Sequence, residues 1–266
     1  MQTVNIASQP TCLTSSAVLD NVFVVGLASG TILAYQTNQS PSASLLWTYT
    51  KSKSPTRSIM IVPSQDKNNW NVWCSYSDGS VRIFDGKSGK LIHRYANMHD
   101  GVCINCMLFL DESNCLVATG DDLGCIKVWK EITCIQQYNF NTDYITDLKF
   151  IPENRLLFAA SGDGTLQVYH TRQSEVFAGT ECLDQEYQCL EFANGNQLLY
   201  AFSNDNSIDI YKWDYWGEPA SKVLDLEFSI ESVLRLNELQ LVVGCSDGML
   251  RILRVPENKF VASMKI

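Results

Sequence analysis

The sequence predicts an all-β fold in the form of a β-propeller with six four-stranded blades. Three observations support this prediction. A pattern of an apolar run, a short polar turn and a second apolar run recurs six times, at intervals of 40 to 49 residues. Each interval has room for about four short strands, and no helical periodicity appears between them. A period of about 40–45 residues with four strands is typical of a propeller blade, so residues 1–266 are predicted to form one propeller domain.

Each of the six repeats centres on a predicted β-hairpin. The copies are VVGLASGTILAY, WCSYSDGSVRIF, ATGDDLGCIKVW, AASGDGTLQVY, AFSNDNSIDIY and VVGCSDGMLRIL. Their turns hold a glycine or an asparagine, in chain order Gly30, Gly79, Gly124, Gly164, Asn206 and Gly248. A tight hairpin turn needs positive φ, which these two residue types tolerate best. The flanking runs alternate or are β-branched, as paired strands should be.

Further apolar stretches supply the remaining strands of the blades. YITDLKFI and YQCLEF precede the fourth and fifth hairpins, whereas KLIHRY and KFVASM follow the second and the sixth. Three polar or mixed segments are predicted to be loops, namely Gln36–Leu45, Lys51–Ser58 and Tyr211–Lys222. A single four-stranded sheet cannot bury both faces, but neighbouring blades can cover one another.

Composition and charge exclude several classes of function. The chain is 45% hydrophobic, enough for a core, and has a formal net charge of -9. Such a surface repels phosphate, so no direct binding of nucleic acid is expected. No run of about eighteen apolar residues is present, so no membrane span is expected. The first residues lack the basic and apolar regions of a signal peptide.

The ten cysteines are predicted to be reduced thiols in a nuclear or cytosolic protein, because they are scattered and no secretory signal precedes them. Cys103 and Cys106 have the spacing of a zinc or redox motif. Their segment reads as a strand, in which residues three apart point to opposite faces, and no second pair of this kind exists. We therefore predict that these two cysteines are structural.

The repeats resemble the WD-repeat family, whose blades commonly carry a hydrogen-bonded tetrad of His, Ser or Thr, Asp and Trp. The third copy supplies a complete set, His99, Thr119, Asp122 and Trp129. Acidic residues persist in four other hairpin turns, at Asp78, Asp163, Asp205 and Asp247. The Trp position of the remaining copies holds Tyr35, Phe84, Tyr169, Tyr211 and Leu253. The resemblance implies a structural tetrad in blade three, and blades elsewhere that rely on apolar packing and the turn itself.

Three longer stretches resemble the WD repeat-containing protein 55 family of ribosome-biogenesis propellers. They are Met98–Lys130 with its ATGDD-x-GCI segment, Asp143–Arg172, and Ile210–Phe260 with its aromatic loop. This resemblance implies a non-enzymatic scaffold in ribosomal RNA processing and large-subunit biogenesis. It also implies pre-ribosomal assembly factors as partners, and a place in the nucleus and nucleolus, with the cytoplasm as the alternative.

The chain departs from that family pattern at two points. The pattern continues into a seventh blade and a Lys-rich tail, whereas this sequence stops at Ile266, so either the member is shortened or six blades close the propeller. Some members resemble receptors of cullin-type ubiquitin ligases through a Trp-Asp-x-Arg box. The corresponding residues here read Trp-Lys-Glu-Ile, at 129–132. A receptor or scaffold of such a ligase, or of another cytosolic complex, is the alternative function.

No arrangement of residues in the sequence indicates an enzyme. Only His93, His99 and His170 are available, and motifs for a nucleophilic serine, a zinc protease or a nucleotide are missing. The acidic turns lack the dense spacing of a calcium loop. We therefore expect no catalytic residue, cofactor, metal or small-molecule substrate.

Two candidate partner surfaces remain. Repeat register places Arg57, Val102, Tyr144 and Glu186 in the loops that precede the first strands. The other candidate is the loop after blade five, with Trp213, Tyr215 and Trp216, because aromatic residues often anchor interfaces. The alternative for Trp213 and Trp216 is that they fold back and shield the blade edge. Exposure of Trp216 distinguishes the two.

Overall fold

The computed structural model describes residues 6–15, 21–37, 43–63, 69–111, 116–182, 184–255 and 257–265. The regular structure of these residues consists of β-strands, and they contain no helix. These residues form six four-stranded antiparallel sheets. The predicted fold class, an all-β propeller with six four-stranded blades, is confirmed. No helix long and apolar enough to cross a membrane occurs among these residues.

The first three blades each follow chain order from the first to the fourth strand. Blade one comprises β1 (Pro10–Ser15), β2 (Val22–Leu27), β3 (Ile32–Thr37) and β4 (Ala43–Tyr49). Blade two comprises β5 (Thr56–Pro63), β6 (Trp70–Tyr76), β7 (Val81–Asp85) and β8 (Leu91–Tyr95). Blade three comprises β9 (Ile104–Asp111), β10 (Leu116–Asp121), β11 (Ile126–Lys130) and β12 (Thr133–Tyr138).

The last three blades repeat the same strand order. Blade four comprises β13 (Ile145–Ile151), β14 (Leu156–Ser161), β15 (Leu166–His170) and β16 (Val176–Gly179). Blade five comprises β17 (Tyr187–Ala193), β18 (Leu198–Ser203), β19 (Ile208–Lys212) and β20 (Ser221–Val223). Blade six comprises β21 (Ile230–Asn237), β22 (Gln240–Cys245), β23 (Met249–Arg254) and β24 (Lys259–Lys265).

The turns between the second and third strands have the conformation that their residues predict. All six turn residues have positive φ, from 62° at Asn206 to 79° at Gly30 and Gly164. At Gly79 the space is also restricted, since an added Cβ would lie 2.7 Å from the carbonyl oxygen of Val102. A glycine at this turn therefore serves both the backbone conformation and the close approach of the next loop.

The predicted loops are shorter in the structure than in the sequence prediction. The segments at 36–45 and 51–58 give way to strand at Ala43 and Thr56, and residues 38–42 lie outside the described part of the chain. The loop after blade five spans 213–220, between β19 and β20. Strand pairing extends further into polar sequence than hydrophobic patterning indicates, because backbone hydrogen bonds do not depend on side-chain polarity.

The chain divides into two compact units, Met1–Asp122 with Val128–Thr133, and Leu123–Lys127 with Cys134–Ile266. In the first unit, Val24 and Ile32 of blade one pack with Val72 and Phe84 of blade two. A second cluster joins the other face of blade two to blade three and includes Met60, Val81, Ile104, Met107 and Val117. Each cluster therefore fills the space between two neighbouring blades.

The second unit has two clusters of the same kind. Blades four and five bury Phe158 and Leu199 between them, and blades five and six bury Tyr200, Ile210 and Val243. Adjacent residues of β18 thus face opposite neighbours, as strand geometry requires. The prediction that residues 1–266 form a single domain stays a prediction.

Blade six buries one face and exposes the other. Strand register aligns Leu234, Val242, Ile252 and Ala262 in one row across its four strands. Leu234 is 65% exposed, and Met264 in the neighbouring row is 48% exposed. In blade five the corresponding row contains Tyr200 and Ile210, which blade six covers. The fully buried residues of blade six lie on the side that packs against blade five.

Candidate functional site

Blade three contains a buried network of four side chains. Trp129 Nε1 donates to Thr119 Oγ1 at 2.8 Å, and Thr119 Oγ1 lies 2.6 Å from His99 Nε2. His99 Nδ1 lies 2.6 Å from Asp121 Oδ2. Every donor finds an acceptor when Thr119 donates to Nε2 and Nδ1–H donates to the carboxylate. The turn before β9 supplies the histidine, and β10 and β11 supply its partners.

The aspartate of this network is Asp121, so the assignment of Asp122 was wrong. Asp121 ends β10 and is 3% exposed, whereas Asp122 is exposed and accepts a hydrogen bond from Asn105 Nδ2 at 2.7 Å. Successive residues at the end of a strand point to opposite sides, so only one of two adjacent aspartates can reach the histidine. Both aspartates were candidates from the sequence alone. Asp121 is the last residue of β10, whereas Asp122 lies in the turn that follows.

The geometry of the tetrad suits a structural role. Both ring nitrogens of His99 have hydrogen-bond partners, so the imidazole offers no unused lone pair for a metal or a substrate proton. The only hydroxyl in the network, that of Thr119, lies between the histidine and the indole. Buried polar groups with satisfied hydrogen bonds fix one packing arrangement of a core. The tetrad therefore joins the loop before β9 to the two middle strands of the blade.

The four turn acids close their own turns. Asp78 Oδ1 accepts from the backbone N–H of Ser80 at 3.0 Å, and Asp163 Oδ1 accepts from that of Thr165 at 3.0 Å. The equivalent acids Asp205 and Asp247 accept from Ser207 Oγ and from the backbone of Met249. These bonds match the expected role of a turn carboxylate, which bonds groups of its own turn.

The hydrogen bonds at Asp78 also change its acidity. Burial alone would raise the pKa of this carboxyl, but the bonds from Ser80 and the charge of Arg82 outweigh burial and lower the pKa below 3.8. Arg82 Nη2 lies 3.4 Å from Asp78 Oδ2. The folded turn therefore favours the ionised form of Asp78.

Blade four carries a different polar network that the sequence analysis missed. Tyr169 Oη donates to Asn141 Oδ1 at 2.7 Å, and Asn141 Nδ2 donates to Thr165 Oγ1 at 3.0 Å. Burial raises the pKa of the neighbouring Tyr138 to about 12, so that phenol stays neutral beside Tyr169. Asn141 precedes the first strand, as His99 does in blade three. This position before the first strand is the feature of the sequence that could have identified Asn141.

Blade five carries a third network, around the fully buried carboxylate of Asp209. Its Oδ2 accepts from Tyr187 Oη at 2.5 Å and from Gln185 Nε2 at 2.8 Å, and its Oδ1 lies 3.3 Å from Lys222 Nζ. Tyr187 Oη also lies 2.8 Å from Tyr211 Oη. The expectation that this blade relies on apolar packing and its turn alone was therefore wrong. Gln185 also precedes the first strand of its blade, but it lies closer to that strand than Asn141 and His99 do in theirs.

The first candidate partner surface is placed as two separate hydrogen-bonded groups. In the first unit, Arg57 Nη2 donates to Asn105 Oδ1 at 2.8 Å, and half-buried Val102 lies in the loop before β9. In the second unit, Tyr144 Oη donates to Glu186 Oε2 at 2.9 Å. Burial first, and then the bond to Glu186, raises the pKa of Tyr144. Each group fixes the side chains of two neighbouring blades within its unit.

The loop after blade five divides its aromatic residues between core and surface. Trp216 is 3% exposed and packs edge-to-face on Phe158, with ring centroids 4.8 Å apart. Trp213 is half-buried and packs edge-to-face on Trp216. Tyr215 is 55% exposed. The two tryptophans therefore shield the edge of the blade, and only Tyr215 presents an aromatic surface to solvent.

None of the nine cysteines in the described ranges forms a disulfide. Cys115 lies outside these ranges. Cys103 and Cys106 are both buried, and burial is the first cause of the raised pKa of the Cys103 thiol. A raised thiol pKa disfavours the thiolate that metal binding and redox exchange require.

The comparison with protein families matches the WD domain, G-beta repeat, at residues 89–130 and 132–170. Each matched segment begins with the outer strand of one blade and continues through three strands of the next, β8–β11 and then β12–β15. The first match includes all four residues of the tetrad. WD40 propellers typically mediate protein–protein interactions and are generally non-catalytic scaffolds.

Curated relatives extend the similarity along the chain. "WD repeat-containing protein 55" of Arabidopsis thaliana is 26% identical over 70% of this chain and 52% of its own length. The human protein of the same name is 25% identical over 70% of this chain and 49% of its own. An uncharacterized WD repeat-containing protein of Schizosaccharomyces pombe is 27% identical over 91% of this chain and 69% of its own.

The chain spans about half the length of the relatives named WD repeat-containing protein 55. The resemblance predicted from the ATGDD segment and the aromatic loop is thus confirmed. Matched WD repeats, the tetrad of blade three and six four-stranded blades lead to one conclusion. The chain forms a β-propeller of six four-stranded blades, carries matched WD repeats at residues 89–130 and 132–170, and is similar to the proteins named WD repeat-containing protein 55.

Proposed function

We propose that this protein is a non-enzymatic scaffold that binds protein partners in ribosomal RNA processing and large-subunit biogenesis. The observation that carries the proposal is the similarity to proteins named WD repeat-containing protein 55 over 70% of the chain. The family resemblance implies this process, with pre-ribosomal assembly factors as partners and the nucleus and nucleolus as the compartment. The proposal takes residues 1–266 as one propeller domain.

The chemistry of the described residues supports a scaffold. The buried histidine of blade three has both nitrogens engaged in structural hydrogen bonds, and the turn carboxylates bond their own turns. Rigid blades present loops as platforms on which other proteins can bind. A net charge of -9 favours partners with basic segments and disfavours direct contact with RNA. No cofactor, metal or small-molecule substrate is part of the proposal.

Affinity purification of the tagged protein followed by mass spectrometry tests this proposal. We expect large-subunit assembly factors among the recovered proteins, and we expect them to remain after nuclease treatment because the contacts are made by protein. Depletion should delay maturation of large-subunit ribosomal RNA. Recovery of ubiquitin-ligase adaptors without assembly factors would instead support the alternative, a receptor or scaffold of a cullin-type ligase.

A further inference from the structure

A groove of about 620 Å³ lies in the second unit, between the outer strand of blade four and the loop after blade five. Its lining combines small residues, two tyrosines and two glutamates, in full Gly179, Thr180, Glu181, Tyr211, Tyr215, Gly217, Glu218 and Pro219. Tyr211 belongs to the polar network of blade five through its bond to Tyr187, and Tyr215 is the exposed aromatic residue of the loop described above. The other lining residues belong to none of the networks or turns described above.

The wall from blade four is fixed by reciprocal hydrogen bonds. Thr180 N–H donates to the carbonyl oxygen of Leu166 at 3.0 Å, and Leu166 N–H donates to Thr180 Oγ1 at 3.0 Å. Glu181 is the next residue in the chain, so these bonds also fix the position from which its side chain projects. Thr180 is itself buried, which leaves Glu181 as the charged group that this side presents.

The opposite wall is fixed by bonds within the loop. Tyr215 N–H donates to the carbonyl oxygen of Lys212 at 3.1 Å, and Tyr215 Oη donates to Glu218 Oε1 at 2.7 Å. Ala220 N–H returns to the carbonyl oxygen of Ile210 at 2.8 Å, where the loop rejoins the blade. A groove with both walls held in this way loses little conformational freedom when a ligand binds.

The charge and the shape of the lining select the ligand. Glu181 and Glu218 are exposed, and neither forms an ion pair within the part of the chain that the structure describes. No arginine or lysine lines the groove. Exposed Tyr215 adds an aromatic face, which attracts a cation. A side chain with a positive head and an apolar stem complements these features, because its stem can pack on Tyr215 and Pro219.

We infer that this groove binds an arginine or lysine side chain of a basic protein segment. The inference rests on the proposed function as a scaffold and names the surface on which one class of partner would bind. The two carboxylates bind the positive head from opposite walls, and Tyr215 contacts the stem. The tryptophans of the same loop act only as support, since Trp216 is buried beneath it.

Fluorescence polarisation with a short labelled peptide of alternating arginine and glycine residues tests the groove. The same peptide with glutamine in place of arginine serves as the control ligand. We expect the double variant Glu181→Gln with Glu218→Gln to weaken binding of the arginine peptide about tenfold, since it removes two exposed ion pairs. Tyr215→Leu should weaken it about threefold through loss of the aromatic face.

A matched double variant, Glu153→Gln with Glu227→Gln, makes the same change in net charge at exposed sites outside the groove. We expect it to change affinity less than about twofold, because only the long-range field is altered. Equal losses in the two double variants would overturn the inference, as would equal affinity for the arginine and glutamine peptides. Thermal melting checks that each variant is folded. If the double glutamate variant does not fold, Tyr215→Leu tests the groove independently.

The result separates the groove from the proposed function. If purification recovers assembly factors but the groove variants leave the affinity for the peptide unchanged, the groove alone is refuted. If binding of the peptide requires Glu181 and Glu218 but purification recovers none of those factors, the proposed role in ribosome biogenesis alone is refuted. Both observations use the full chain.

Discussion

Asp121 determines how His99 is oriented in blade three. A carboxylate that accepts from Nδ1 leaves Nε2 to accept from Thr119, whose oxygen accepts in turn from Trp129. The four groups therefore depend on one another, and loss of the carboxylate leaves a buried N–H without an acceptor. The adjacent Asp122 has no part in this order, because it bonds Asn105 at the surface.

The first prediction compares these two adjacent aspartates. Asp121→Ala should lower the free energy of unfolding by about 1–3 kcal/mol, the cost of a buried polar group left unsatisfied. Asp122→Ala should change it by no more than about 0.5 kcal/mol, since its side chain is exposed. Urea denaturation followed by tryptophan fluorescence measures both. Equal effects of the two substitutions would argue against the tetrad as described.

The second prediction concerns acid stability at Asp78, whose pKa is lower in the folded protein than its ordinary value of 3.8. A lowered folded-state pKa contributes stability above the unfolded-state value, and this contribution is lost as pH falls through the folded-state value. Asp78→Asn should therefore be less stable than the parent protein at neutral pH, and the difference should narrow as pH falls below about 4. Urea denaturation at a series of pH values measures it. A difference that stays constant with pH would exclude the charge as its source.

At the scale of the strand and the turn, the sequence predicted the hairpins well because their signals are local. A glycine or asparagine with positive φ and two flanking apolar runs define each hairpin without reference to the rest of the chain. Which side chains meet between strands depends on register, and that information is not local. The networks at Asn141 and Gln185 were missed for this reason, since neither residue matches the His of the WD-repeat pattern.

The faces of blade six show the same limit. The apolar alternation of β21 to β23 predicts strands, and strands are observed. Alternation cannot tell which face a neighbour covers, and Leu234 lies on the exposed one. Burial at this position depends on what packs against the blade, which no pattern within the strand encodes.

The third prediction uses two turn glycines with similar backbone conformation, Gly79 with φ of 73° and Gly248 with φ of 75°. Alanine at Gly248 meets nothing within 4 Å, so Gly248→Ala should cost only the left-handed conformation, about 1–2 kcal/mol. Alanine at Gly79 would also press on the backbone of Gly101 and Val102. Gly79→Ala should therefore cost about 1–3 kcal/mol more. Equal losses of unfolding free energy would show that the adjacent loop yields freely.

The fourth prediction concerns the loop after blade five. Trp216→Ala removes a buried indole that packs on Phe158, and it should lower the free energy of unfolding by about 3–5 kcal/mol. Tyr215→Ala in the same loop should change it by no more than about 0.5 kcal/mol, because that ring is exposed. Thermal and urea unfolding measure both. A small effect at Trp216 would mean that the indole does not support the blade edge.

At the scale of the whole molecule, the repeat period predicted the fold class because a propeller repeats one unit that cannot bury both of its faces alone. Net charge indicates the class of partner, which the fold alone does not. An excess of nine negative charges attracts basic partners over distances set by the ionic strength. This preference follows from the composition and stays a prediction, whereas the groove at Tyr215 depends on two segments, 179–181 and 211–219, that meet only in the folded blade pair.

The last prediction follows from that charge and is measured on the 266-residue chain. Raising salt from about 0.1 M to about 1 M shortens the screening length from about 10 Å to about 3 Å. Recovery of basic partners in affinity purification should therefore fall steeply over this range, while recovery of the tagged protein itself stays constant as the control. Quantitative mass spectrometry at each salt concentration measures both. Recovery that holds or rises with salt would mean that apolar contacts dominate, because salt weakens exposed ion pairs but leaves the burial of apolar surface intact.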